Sequence, residues 1–267
     1  MAYAEFKKIK VHYTDTGKGR VIVLLHGFLG SLEIWSEFEK KLSKKFRIIT
    51  IDLPGHGETP AIGYYHSMEL LAQSVKAVLD KAGVRRYIIA GHSMGGYAAL
   101  AFAELFPESV SGLCMFHSTS NADSEEKKKD RDRIIGLVKK EHKNYVSEVI
   151  ISLFATENIV KNKAEIEKVK RIAAAVSKQS IINSLEGMKE RKNRELIFKF
   201  AEYPVLFIIG KKDSVINYET IYPQIGLCKY PSVLMLEDVG HMGFYEAPKK
   251  TLKELDLFSG RCFRNRF

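Results

Sequence analysis

Cysteine is scarce in this chain, and no long hydrophobic run interrupts it. Its three cysteines, Cys114, Cys228 and Cys262, are odd in number and far apart. They do not make the dense disulfide framework of a small secreted scaffold. No Cys-x-x-Cys pair offers a zinc site or a dithiol redox centre. Such thiols fit a reducing, cytoplasmic setting, and Cys114, within an apolar stretch, is expected to pack as a small hydrophobe. No apolar run comes near the roughly 18 residues of a membrane span. The segment Met1 to Lys8 has no apolar core followed by small residues, so no secretory signal is expected. Low-complexity tracts and internal repeats are also missing, and nothing implies a metal or an organic cofactor.

What is present is an ordinary globular composition, 45% hydrophobic and 28% charged in 267 residues, enough to bury a core without disulfides or metals. The formal net charge of +10 raises the question of a polyanionic partner. Between Asn121 and Lys199, however, 19 Lys/Arg are interleaved with 13 Asp/Glu. Mixing of this kind marks solvated helix faces, and no aromatics sit among the basic residues to stack on bases. Nucleic acid is not an expected partner.

Short aliphatic runs alternate with amphipathic stretches. Residues 4–16 alternate and end in Asp15-Thr16-Gly17, as a hairpin would. Val21–Leu25, Phe46–Ile51, Tyr87–Ala90, Val110–Phe116, Val205–Ile209 and Ser232–Leu236 read as strands. Leu32–Lys44, Glu69–Ala82, Gly95–Phe106, Tyr218–Ile225 and Pro248–Phe258 read as helices, the last with proline in its first turn. This rhythm predicts a parallel sheet covered on both faces. From Ser118 to Phe200 the rhythm breaks into charged helical text: Ser124–Lys143, Tyr145–Leu153, Lys161–Gln179 and Ile181–Arg191. The expected organisation is a core of 1–117 and 201–267 with a helical insertion, 118–200, between two strands. The basic tail, Arg261 to Phe267, is expected to fray.

Gly91-His92-Ser93-Met94-Gly95 lies between a strand and a helix, the context in which a serine is held out on a sharp turn as a nucleophile. The flanking glycines are needed because Cβ atoms there would collide with the turn. The helix beginning behind Ser93 favours developing negative charge. A phosphate-binding loop is the competing reading. The Gly-x-Gly-x-x-Gly spacing is absent, however, and no Lys-Ser/Thr follows. His26-Gly27-Phe28 closes the first buried strand, and the backbone N–H groups of Phe28 and Met94 are the candidate oxyanion donors. Two such donors contribute on the order of 3 kcal/mol each. His26 itself is assigned a structural role in that loop.

A serine hydroxyl needs a base. Of the eight histidines, His241 follows the last strand, at the carboxyl edge where catalytic groups gather. His56 reads as a turn residue, His92 as turned away from Ser93, His12 as part of the hairpin and His142 as part of the insertion. The acid should precede the base at another strand end. Asp213 in Gly210-Lys211-Lys212-Asp213 meets that test; Asp123, after Val110–Phe116, is its rival, and Asp238 is too close to His241 to be more than loop support. The carboxylate would hold His241 in one tautomer and stabilise the imidazolium.

Together, His26-Gly27-Phe28, Asp52-Leu53-Pro54-Gly55-His56-Gly57, Gly91-His92-Ser93-Met94-Gly95-Gly96, Gly210-Lys211-Lys212-Asp213 and Gly240-His241 resemble the α/β-hydrolase superfamily over nearly the whole chain. The resemblance implies a mostly parallel eight-stranded sheet with helices on both faces and a helical cap over the site. It also implies an activity drawn from esterases, lipases, thioesterases, carbon–carbon bond hydrolases, a few lyases and hormone receptors. Gly30-Ser31 with Trp35 is similar to the menaquinone-pathway lyases and their esterase cousins, but those lyases carry Arg where this chain has Tyr97. Ser93 stands where haloalkane dehalogenases have Asp, and no His-Gly-Gly-Gly run marks the hormone-sensitive-lipase type. The leading expectation is a carboxylesterase acting on a small-molecule ester of small to medium acyl chain. Leu153, Phe154, Leu185 and Met188 of the cap are the candidate pocket residues. A carbon–carbon bond hydrolase, a lyase and a non-catalytic receptor stand as alternatives.

Overall fold

The computed structural model describes residues 2–264, with the backbone alone for Lys143 and Asn144. Strands β1 (Ala2–Phe6) and β2 (Ile9–Thr16) form the expected hairpin, followed by β3 (Val21–Leu25), α1 (Ser36–Leu42), β4 (Arg47–Ile51), α2 (Met68–Lys81), β5 (Tyr87–His92), α3 (Met94–Leu105) and β6 (Val110–Phe116). Four helices intervene: α4 (Glu125–Ser152), α5 (Lys163–Ala174), α6 (Lys178–Lys189) and α7 (Glu195–Phe200). The chain then returns with β7 (Val205–Gly210), α8 (Tyr222–Ile225), β8 (Pro231–Leu236), α9 (Gly243–Glu246) and α10 (Pro248–Phe263).

The eight strands make one sheet in the order β1-β2-β4-β3-β5-β6-β7-β8. The first two pairings are antiparallel and the rest parallel. Position explains composition. Strands β3, β5 and β7, covered on both faces, are buried at every residue and contain no charge. The edge strand β8 is partly exposed and starts with Pro231, whose missing N–H is tolerated at a strand start. All parallel strands run the same way, so the loops after β3, β5, β6, β7 and β8 gather at one rim.

The helical block departs from the expected boundaries in instructive ways. The break expected between Lys143 and Tyr145 falls at Glu141 (φ −135°, ψ 56°), where the two helical segments of α4 meet at a kink. The foreseen helix 161–179 ends earlier, because the Ser177 side chain accepts the Ser180 N–H at 3.1 Å and starts α6 there. Helices α7 and α9 were not foreseen; each is under two turns long, too short for a periodic signal. The tail also differs: Arg261 to Phe263 continue α10, with Cys262 buried, and 265–267 lie outside the described residues. Among the described residues no helix is long and apolar enough to cross a membrane.

Candidate active site

Ser93 joins β5 to α3 with φ +51° and ψ −115°, a backbone conformation that costs a non-glycine residue about 1–3 kcal/mol. The surroundings hold it there. Its N–H donates to Phe116 O at 3.0 Å, and its carbonyl accepts from Gly96 N at 2.8 Å and from the Ser118 hydroxyl at 2.8 Å. A Cβ at Gly91 would lie 2.3 Å from Gly95 O, and one at Gly95 would lie 2.5 Å from Leu25 O. The turn therefore closes only with glycine at both positions.

The loop after β3 is fixed by His26. Its Nε2 accepts the Leu53 N–H at 2.9 Å, so the proton resides on Nδ1, which donates to Gly27 O at 2.8 Å. Asp52 adds anchors to the Leu32 and Glu58 N–H groups at 2.8 and 3.0 Å and to His12 Nδ1 at 2.7 Å. Buried His56 lies against the His26 ring at 5.0 Å. Phe28 and Ser93 line the same cavity, while Met94 is the first residue of α3.

At the neighbouring strand ends, His241 Nδ1 donates to Asp213 Oδ2 at 2.8 Å. The other oxygen, Oδ1, accepts the N–H groups of Val215 and Ile216 at 2.8 and 3.0 Å. Burial works to raise the Asp213 carboxyl. The charge of His241 and the hydrogen bonds from His117 and His241 outweigh burial and hold it far below the usual carboxylate range. His92 points away from the serine, its Nε2 donating to His241 O at 2.9 Å, and burial keeps its ring neutral. His241 and Ser93 face one cavity. Among the described residues no hydrogen bond joins the serine hydroxyl to the ring. Atoms of His117, Asp213 and His241 lie within 4.8 Å of one another, close enough to bracket an ion. They meet instead as donors and acceptors of hydrogen bonds.

Asp123 goes elsewhere. It is clamped by Arg131 and by Arg191 Nη1, the latter at 2.5 Å. Burial again works to raise its carboxyl, and the two guanidiniums outweigh it. Asp213, not Asp123, reaches the imidazole. Asp238 contributes only its carbonyl, which accepts from Asn158 Nδ2 at 2.6 Å.

The cavity holds about 300 Å³, and Leu153, Leu185 and Met188 line it with Tyr97 and Val149. Phe154 does not, contrary to expectation. It stacks on Tyr245 at 6.5 Å and borders a separate depression with Thr156 and Lys212. Helix α4 ends at Ser152, and in the turn that follows Leu153 faces the cavity while Phe154 turns to Tyr245.

A family model described as the alpha/beta hydrolase fold matches residues 20–148. The fold superposes on a thermophilic esterase from Thermogutta terrifontis with a TM-score of 0.91, covering 97% of both chains at 25% identity. The chain belongs to the α/β-hydrolase superfamily. Among curated proteins, this α/β hydrolase is similar to the dihydrolipoyllysine-residue acetyltransferase component of the acetoin cleaving system of Pseudomonas putida. That match is 28% identical over 247 residues, 90% of this chain and 63% of that protein. It is also similar to a 2-hydroxy-6-oxononadienedioate/2-hydroxy-6-oxononatrienedioate hydrolase of Paraburkholderia phymatum, 36% identical over 124 residues, 44% of this chain and 43% of that protein. The chain thus spans less than two thirds of the length of these curated relatives.

Two contributors to this α/β hydrolase site escape sequence reasoning. His117, just after β6, is fully enclosed and donates from Nδ1 to the same Asp213 oxygen at 3.2 Å. Burial lowers its pKa against the pull of Asp213, leaving a neutral donor. Its place just past an aliphatic strand was the available signal. Glu246 in α9 takes the Gly240, Met242 and Ala155 N–H groups on one carboxylate at 3.0–3.2 Å. It thereby fixes the loop that carries His241; no motif announces it.

Proposed function

We propose that the chain is a serine hydrolase that cleaves carboxylic esters of small to medium acyl chain, with residues 118–200 acting as a cap. Ser93 attacks the ester carbonyl while His241 takes its proton, and the N–H groups of Phe28 and Met94 receive the oxyanion. Collapse breaks the bond to the alcohol, which leaves with the proton from His241. Water, activated by the same ring, then frees the acid and restores the serine. Asp213 keeps the proton on Nδ1, so that Nε2 is the basic nitrogen. The observation that carries this reading is the Asp213–His241 bond beside a strained serine on one cavity.

Carbon–carbon bond hydrolysis is the second reading. It is favoured by the likeness to the Paraburkholderia hydrolase, whose matched segment is more similar in sequence than that of the superposed esterase. Labelling with a fluorophosphonate and a panel of p-nitrophenyl esters decides between them. The expected result is Ser93-dependent labelling with ester turnover, and a loss of kcat by roughly 10⁴-fold or more in Ser93→Ala and His241→Ala. Labelling without turnover of any ester favours the carbon–carbon reading, and no labelling of Ser93 removes both.

A further inference from the structure

The cavity that holds Ser93 and His241 is apolar through its middle and charged at the end formed by the first turns of α4. Lys127 and Arg131, four residues apart on one helix face, both line it. Lys127 Nζ donates to Val215 O at 3.0 Å and has no acidic partner within ion-pair distance among the described residues. Arg131 shares Asp123 with Arg191, so one carboxylate serves two guanidiniums. Arg191 is otherwise spent on structure, donating to Asn121 O and Met188 O at 3.0 Å and lying 4.1 Å over the Tyr97 ring.

The remaining acids balance this cluster only in part. Asp213 is satisfied by two imidazoles and two backbone N–H groups. Asp130, at the rim, faces Arg133 at 3.4 Å, and that pair cancels. Lys127, Arg131 and Arg191 therefore set three positive charges against the two carboxylates of Asp123 and Asp213, which leaves one positive charge in excess at one end of a cavity of about 300 Å³. Burial of a cation without a full counter-charge is unfavourable, and burial indeed lowers the Lys127 pKa, with Asp123 and Asp213 opposing and the two guanidiniums assisting. A bound anion would remove that cost.

We infer that the cationic end of the cavity, through Lys127 and Arg131, binds a carboxylate of the substrate. The preferred substrates are then esters that carry a free carboxylate at the far end of a short aliphatic chain, the half-esters of dicarboxylic acids. The inference rests on the ester-cleaving reading of the site for its reaction, but not for its binding chemistry. The apolar middle takes the methylene chain and the cationic end takes the carboxylate, which sets the distance at which the ester carbonyl meets Ser93.

Monomethyl adipate and methyl hexanoate share six acyl carbons and differ in that carboxylate. Turnover of each by the full chain, followed in a pH-stat at pH 7, should give a kcat/KM ratio of at least about tenfold in favour of the half-ester. In Lys127→Gln, and in Lys127→Met as a second neutral variant, the ratio should fall toward one; a ratio cancels any general loss of activity. A wild-type ratio of one or below overturns the inference, as does a ratio that persists in both variants. Should neither ester turn over, calorimetric titration of both compounds into Ser93→Ala separates the two readings. Lys127-dependent preference for monomethyl adipate then upholds the carboxylate site while ester cleavage falls, and equal binding of the two compounds sinks the site itself.

Discussion

Asp123 and Asp213 follow adjacent strands of the same sheet, both lie at the rim where the site forms, and both are buried carboxylates held below their ordinary pKa. Their partners make them different machines. Asp123 is gripped by two guanidiniums, whose charge is permanent, so its negative charge is spent on holding α4 and the end of α6 together. Asp213 is met by two imidazoles and two backbone N–H groups. Its strongest partner can gain a proton, and in the proposed mechanism that is when the carboxylate acts. Burial and a low pKa do not distinguish the two. The titratability of the partner does.

The sharpest way to break the contrast is to neutralise each acid in turn. Asp213→Asn should lower kcat by about 10⁴-fold with the fold intact, since the amide can present its N–H to the ring and hold the wrong tautomer. Single-turnover ester hydrolysis beside a thermal melt would read this, and a near-normal rate would remove Asp213 from the mechanism. Asp123→Asn should do the converse. It leaves two buried guanidiniums unpaired and should cost about 3–5 kcal/mol of stability, measured by urea unfolding, with kcat per folded molecule changed less than tenfold.

The pH dependence of that second loss has a definite sign. Asp123 is depressed in the folded state, so its contribution is complete above the unfolded carboxyl value of about 3.9 and is lost as pH falls through the folded value. The stability gap between wild type and Asp123→Asn should be constant near neutrality and narrow below about pH 4. A gap that widens in acid would contradict the pairing.

The smallest expected effect belongs to His117. Removing one neutral hydrogen bond to Asp213 in His117→Ala should cost kcat about fivefold, the weight of roughly 1 kcal/mol. His117→Asn should restore most of it, because asparagine keeps an N–H near the Nδ1 position and tolerates the positive φ found there. Equal rates in all three proteins would make His117 a packing residue only.

Much of this arrangement was legible in the sequence because it is local. The aliphatic strands, Ser93 between its glycines, and His241 and Asp213 just past strands all announce themselves within five or six neighbouring residues. What was not legible depends on chain brought in from afar. Arg131 lies one helical stretch from Asp123, but Arg191 arrives from 68 residues away, and only that meeting takes Asp123 out of contention. His117 and Glu246 gain their roles from contacts 96 and 91 residues distant. Phe154 was misplaced for a simpler reason: an apolar residue at helical spacing does not reveal which of two neighbouring cavities it faces.

The His241 N–H donates to Leu153 O at 2.7 Å, and a Cβ on Gly240 would meet Ala155 N at 2.5 Å. The end of α4 is thus riveted to the loop that bears the imidazole. A lid swinging as one plate from that end would pull the base out of line each time it opened. The kink at Glu141 divides α4 between two anchors on the rim. The first half is itself tied through Lys127 to Val215 O, next to the loop of Asp213, as the second is tied through Leu153 to His241, so any movement of α4 would reach the acid and the imidazole alike.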